Sequence, residues 1–265
     1  MSTSRYHLCI DRVVGLAHKA KAAELAIKAN PKNKPRLPMH LLPGVSANPA
    51  KISFFVGKQW ARGKTLKVAF MDGSPTQQAK VKKVAAEWSQ YANVKFSFGS
   101  GAAAEVRISF TFQAGASWSA IGTDSLSTEA FPKDQPTMNF GWLEDDTDDT
   151  EYRRVVIHEF GHAIGAVHEH QVPKGGIKWN LQAVYQYFSG PPNNWSKDEI
   201  DFNIVQKYSQ TQLNGTTFDP KSIMLYQFPA EFILAPASLR KTGTANNTDL
   251  SAGDQRFVAV LYGKP

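Results

Sequence analysis

Residues 155–170 read VVIHEFGHAIGAVHEH, and this stretch decides the fold. His158 and His162 are four apart, so on an α-helix they share a face and both imidazoles can reach one metal ion. Gly165 follows three residues later, where a left-handed backbone would end the helix and turn the chain so that His168 returns as a third ligand. Three neutral imidazoles leave a zinc ion with net positive charge and an open position, the arrangement of a catalytic site. Zinc lowers the pKa of bound water toward ~7, and Glu159, beside the first ligand, is the candidate base and later acid. A bare HExxH arises by chance in helices. A glycine at the turn position and a histidine three further on are harder to explain that way.

Upstream, the pattern is that of a sheet with a helix packed on it. TLKVAF (65–70) alternates like a strand. A helix follows with Ser74 as N-cap, Pro75 at its first position and Val81, Val84, Ala85 and Trp88 on one face. VKFSFG, VRISFTF and the short PTMNF are further strand candidates. From Glu144 to Glu151 six of eight residues are acidic. They lack the Asp-x-Asp-x-Asp-Gly order of a calcium loop and read as a solvated loop whose last acids favour a helix N-terminus. Downstream, WNLQAVYQYF reads as a helix, Ser196 to Glu199 as a capping box, and Ser251 as the cap of a last helix carrying Phe257, Val258 and Leu261.

Past the zinc motif, Ser222-Ile223-Met224-Leu225-Tyr226 resembles the methionine-containing turn of the metzincins, and among them the chain resembles the astacins. Glu169 directly after the third His, and a Ser-x-Met-x-Tyr turn, are astacin marks. The resemblance covers roughly residues 58–263, including Trp60 to Phe70, SWSAIGT after the edge strand and LSAGDQRFVAVLYG as the last helix. It implies one catalytic Zn2+ held by His158, His162 and His168, with Tyr226 as a displaceable fifth ligand that stabilises the oxyanion. Gly165, Met224 and Glu169 would be structural supports, Met224 as the floor of the zinc site. The activity implied is hydrolysis of internal peptide bonds in protein or peptide substrates.

An extended substrate can add to a sheet edge by main-chain hydrogen bonds, and VRISFTF (106–112) is the candidate edge strand. Departures from the family pattern are present. The single cysteine, Cys9, forbids the disulfides usual in secreted astacins, so the chain resembles a divergent microbial-type member. His170-Gln171-Val172-Pro173 replaces the Arg that often recognises acidic side chains, and Leu225 replaces a frequent His. Trp118, His170 and Tyr185 are candidates to line subsites.

The net charge of +7 is uneven: residues 1–51 hold nine Lys/Arg and two Asp/Glu, and the remainder 21 of each. A basic arm can bind nucleic acid or acidic lipid, but a solvated helix face and linker is the favoured reading. Residues 11–29 read as an amphipathic helix with Val13, Leu16, Ala20, Ala23 and Ile27 on one face, followed by a proline-rich stretch. Metzincins commonly block their zinc with a Cys or Asp of a pro-segment. Cys9 or Asp11 could serve, although Cys9 is equally explained as an apolar helix residue. No apolar run approaches the roughly 18 residues of a membrane span, and no signal peptide is read. The expectation is a cytoplasmic protein or one exported without a signal peptide, with an organellar transit sequence as the alternative.

The reading is an α+β metzincin or zincin-like fold: a twisted mixed sheet with backing helices, the zinc helix at the cleft floor, and an irregular C-terminal part holding Met224 and Tyr226. Residues 1–57 form a basic helix and Pro-rich arm that could be a pro-segment, and 58–265 the catalytic domain. The rival is a latent or non-catalytic zinc-binding protein whose arm mediates partner binding.

Overall fold

The computed structural model describes residues 8–10, 12–34, 57–101, 103–113, 116–173, 176–191, 193–208 and 217–264. Asp11, and most of the proline-rich stretch, lie outside the described residues. In chain order the elements are β1 (Leu8–Cys9), α1 (Lys19–Ala29), β2 (Thr65–Phe70), α2 (Pro75–Ala85), β3 (Lys95–Gly99), β4 (Val106–Ser109), β5 (Ala116–Ser119), β6 (Met138–Asn139) and α3 (Asp149–Ala163). There follow β7 (Lys178–Trp179), α4 (Leu181–Ser189), α5 (Lys197–Ile200), β8 (Ile233–Ala235), α6 (Ala237–Thr242) and α7 (Ala252–Tyr262).

The main sheet has the order β1-β5-β6-β4-β2-β3. It is mixed: β2 pairs parallel with β3 and β4, β4 parallel with β6, and β5 antiparallel with β6. The α+β expectation with backing helices therefore holds. Val81, Val84 and Ala85 of α2, and Val155, Val156, Ile157 and Phe160 of α3, share one core with Leu66, Val68, Val106, Ile108 and Met138 of the strands. Burying that apolar surface is what holds α3 against the sheet. Below α3 a second core gathers Trp179, Val184, Phe188, Ile204, Leu225, Tyr226, Phe228 and Phe232. This part is mainly helix and loop, with β7 and β8 as a small antiparallel pair.

Local signals set the helix boundaries. Ser74 with Gln77, Ser196 with Glu199, and Ser251 with Asp254 each close a reciprocal capping box at the start of α2, α5 and α7. Asp148 caps α3, whose first turn carries Asp149 and Glu151, so the acidic run lies where the helix dipole favours it.

Two expectations are corrected. The N-terminal helix begins at Lys19 rather than residue 11. Leu8–Cys9 instead pair parallel with Ala116–Ser117, and Arg12 bridges to Ala120. Backbone pairing with the sheet outweighs the helical periodicity, and Leu16, assigned to the buried face, is exposed. The edge strand is also not 106–112: β4 is interior, between β6 and β2, while β5 holds the edge beneath the short β1. All four residues of β5 are buried. Its small serines and alanine lack the alternation by which a strand is recognised.

The arm is tied to the body by two buried asparagines. The Asn30 side chain donates to the carbonyls of Gln59 and Trp60, and that of Asn33 donates to Gln59 and Ala26. The Gln59 amide donates back to Asn33 Oδ1.

Candidate metal centre

The positions of the histidines follow from how α3 ends. Gly165 has φ 97°, a conformation that glycine adopts at little cost, and it turns the chain directly after the helix. The last carbonyls of α3 are met by side chains from elsewhere. The Trp60 indole donates to Ala163 at 2.8 Å and the Tyr262 hydroxyl to Ile164 at 2.5 Å. The helix end is thereby fixed without regular structure beyond it.

His158, His162 and His168 are buried and their Nε2 atoms converge: His162 Nε2 lies 3.1 Å from that of His158 and 3.0 Å from that of His168. The Nδ1 atoms of His158 and His162 face the carbonyls of Ile223, at 2.8 Å, and Ala166, at 3.0 Å. A carbonyl only accepts, so these Nδ1 atoms carry the proton and the Nε2 lone pairs point at one another. Burial, and then the neighbouring His162 and His168, hold the His158 pKa well below its ordinary value, in keeping with a neutral ring. Converging lone pairs repel unless a cation lies between them, and tetrahedral zinc with three imidazoles places its nitrogens ~3.3 Å apart. The donor set and spacing thus fit zinc.

A turn from the lower core closes the site from below. The Glu169 amide donates to Met224 O at 2.9 Å, and the Asp219 amide donates to Glu169 Oε1 at 2.6 Å. Glu169 is buried, which pushes its carboxyl up to about 8. Asp254 supports the turn from the far side, accepting from the Ser222 hydroxyl at 2.7 Å and the Ile223 amide at 2.9 Å. It thereby holds the residue whose carbonyl orients His158. Met224 packs against α3 so closely that a Cβ on Gly161 would come within 2.5 Å of its sulfur. Tyr226 is buried, its hydroxyl 2.6 Å from His168 Nε2.

The N-terminal arm enters the same centre. The Cys9 sulfur lies with the three histidine nitrogens in a group whose ligand atoms are all within 4.8 Å of one another. The thiol also donates to Glu159 Oε2 at 3.2 Å, and the Tyr226 hydroxyl donates to the Cys9 carbonyl. The residues singled out in the sequence as zinc ligands, base, floor and tyrosine are thus brought together, along with Cys9, one of the two candidates for blocking the zinc.

Of the subsite candidates, Trp118 lies on β5 and His170 is buried behind the site against the Tyr226 ring. The Tyr185 hydroxyl donates to Asp201. Sequence reading missed Asp254, which lies three positions after the Ser251 cap and supports the Ser222–Ile223 turn, and the edge role of β5.

The sequence profile of the matrixin family matches residues 59–208. Among solved structures, one of myroilysin is 41% identical with a TM-score of 0.72, the match covering 78% of this chain and 97% of that one. A second, crystal, structure of myroilysin is also 41% identical, with a TM-score of 0.60 over 78% of this chain and 86% of that one. High choriolytic enzyme 1, a hatching enzyme zinc-protease from the medaka fish Oryzias latipes, is 17% identical with a TM-score of 0.52. That match covers 79% of this chain and 94% of that one, a likeness of fold alone. No curated protein matches the chain by sequence.

Proposed function

Since this chain belongs to the matrixin family and is a zinc-dependent endopeptidase of metzincin fold, we propose that its chemistry is carried by His158, His162, His168, Glu159 and Tyr226. The three imidazoles would hold the ion. Zinc bound there supplies a Lewis acid that polarises the scissile carbonyl and acidifies its water. Glu159, next to the first ligand, takes the proton from the attacking water and delivers one to the leaving amine. The Tyr226 hydroxyl is within reach of the same centre and donates to the oxyanion as charge develops on the substrate carbonyl. Met224 and Glu169 keep the ligand turn in place. The finer assignment, an astacin-like enzyme, is supported by Glu169 after the third histidine and by the Ser222–Tyr226 turn.

The observation that carries this reading is the position of the Cys9 sulfur, grouped with the three imidazoles and hydrogen-bonded to Glu159. A small polar atom there touches both the metal's place and the base, as an attacking water must. The same observation supports a latent intact chain: residues 1–57 act as a pro-segment whose Cys9 sulfur would hold the ion together with the three imidazoles, and 58–265 form the catalytic domain. Among the described residues no helix is long and apolar enough to cross a membrane. Protein substrates follow from the family.

The test is to incubate purified protein, intact and processed, with a denatured protein substrate, alongside Glu159→Ala and a chelator. Cleavage abolished by both supports the peptidase. Zinc binding with no cleavage by any preparation supports the rival, a binding protein.

A further inference from the structure

The structure contains an extended peptide lying across its own cleft, and the surface beneath that peptide differs along its length. At Cys9 it crosses the metal centre opposite Ser117. From there it continues along β5, with the Ile10 amide donating to Ser117 O at 2.8 Å and Arg12 opposite Ala120. Beneath this second part lies an apolar face made by Trp118, Ala120 and Phe131, covered by Ile10, Val14 and Ala22 of the arm. Over Trp118, 4.4 Å from its ring centroid, sits the guanidinium of Arg12. Glu129 borders the same face, where it meets His18 of the arm at 3.3 Å.

We propose that Trp118, with Phe131 as its neighbour and Glu129 at the rim, forms a substrate subsite selecting arginine on the N-terminal side of the cleaved bond. The proposal rests on the peptidase reading above. A substrate that replaces Cys9 at the metal must also replace Arg12 on Trp118, because both lie on one extended segment along one strand. Indole is the best aromatic partner for a cation, and a planar guanidinium stacks on it more often than an ammonium does. The aliphatic stem of arginine suits the apolar floor between Trp118 and Phe131, which would otherwise be open to water once the arm leaves. A substrate paired antiparallel to β5, the firmer ladder, runs from Ala120 toward Ala116. It therefore lays the residues before its scissile bond over Trp118. Arg12 is three residues from Cys9, so the selected position is the second or third before the cut.

The experiment uses the full-length chain and, so that the thiol cannot mask turnover, a second preparation carrying Cys9→Ala. Each is incubated with a proteome-derived peptide mixture, and mass spectrometry of the new termini gives residue frequencies around every cut. The expected result is arginine enriched about threefold or more over background, and lysine less so, at the second or third position before the cut. In Trp118→Leu that ratio falls to background. Cuts without arginine enrichment on that side overturn the subsite, as does enrichment undiminished in Trp118→Leu. Should Trp118→Leu not fold, the profile of the unaltered chain decides by itself. Absence of cutting by both preparations, and by the chain freed of residues 1–57, overturns the peptidase reading, and this proposal with it.

Discussion

The Cys9 thiol donates a hydrogen bond to the Glu159 carboxylate at 3.2 Å although 150 positions separate the two residues. With the thiol in place, neither the metal position nor the base is free for a substrate. Intact chain carrying Cys9→Ala is expected to hydrolyse a quenched fluorescent peptide about tenfold or more faster than unaltered intact chain, because the competent fraction rises. Equal rates would leave Cys9 as a packing residue.

Tyr226→Phe removes the hydroxyl but keeps the ring that packs on His168 and Phe228. The expected outcome is a fall in kcat of ~10²-fold with little change in KM, the pattern of a donor used in the transition state. Zinc content by atomic absorption should match the unaltered protein. A rise in KM with kcat unchanged would argue for a ground-state contact.

Stripping the metal leaves the His162 Nε2 lone pair 3.1 Å from that of His158 and 3.0 Å from that of His168. Zinc present at about a thousand times its dissociation constant stabilises the fold by about 4 kcal/mol. Chelated protein should therefore melt about 10 °C lower in scanning calorimetry, and zinc should restore the transition.

Gly165→Ala places a side chain at φ 97°, with a new Cβ 3.3 Å from the Lys58 carbonyl. The strain is expected to cost about 1–3 kcal/mol in urea unfolding. Because the same turn returns His168 to the site, competitive chelation should also show weaker zinc binding. A variant unchanged in both measurements would show that the turn tolerates other conformations.

Asp254→Ala deletes the acceptor of the Ser222 hydroxyl and the Ile223 amide. About 3 kcal/mol of unfolding free energy should be lost, since two buried donors are left without that partner. Asp254→Asn, which retains one acceptor oxygen, should lose less. Because Ile223 orients His158, kcat should drop in parallel with stability.

What was legible in the sequence was local. His158, His162, Gly165 and His168 lie within eleven positions, and helix geometry alone brings the first two together. Ser74, Ser196 and Ser251 announce their helices because a cap is satisfied by a residue three positions on. The edge strand was placed wrongly because VRISF looks like a strand from any position in a sheet, whereas an edge is a property of topology. Cys9 was a candidate only by analogy with pro-segments, beside Asp11, since its neighbours Glu159, His158, His162 and His168 lie about 150 positions away and no local pattern points to them. Ser251 was visible as a helix cap, but the hold of its partner Asp254 on the Ile223 turn depends on how α7 packs, which no local pattern encodes.

The buried bonds from Asn30 and Asn33 to Gln59 and Trp60 anchor the arm beyond the stretch in which a cut between 35 and 56 would fall. Severing the chain there would not by itself expel the arm. On the pro-segment reading, it would convert a tethered inhibitor, held at an effective concentration of about millimolar, into a separate ligand that must compete at the concentration of the protein. Dilution would then complete what the cut begins, and crowded enzyme would stay silent longer than scattered enzyme.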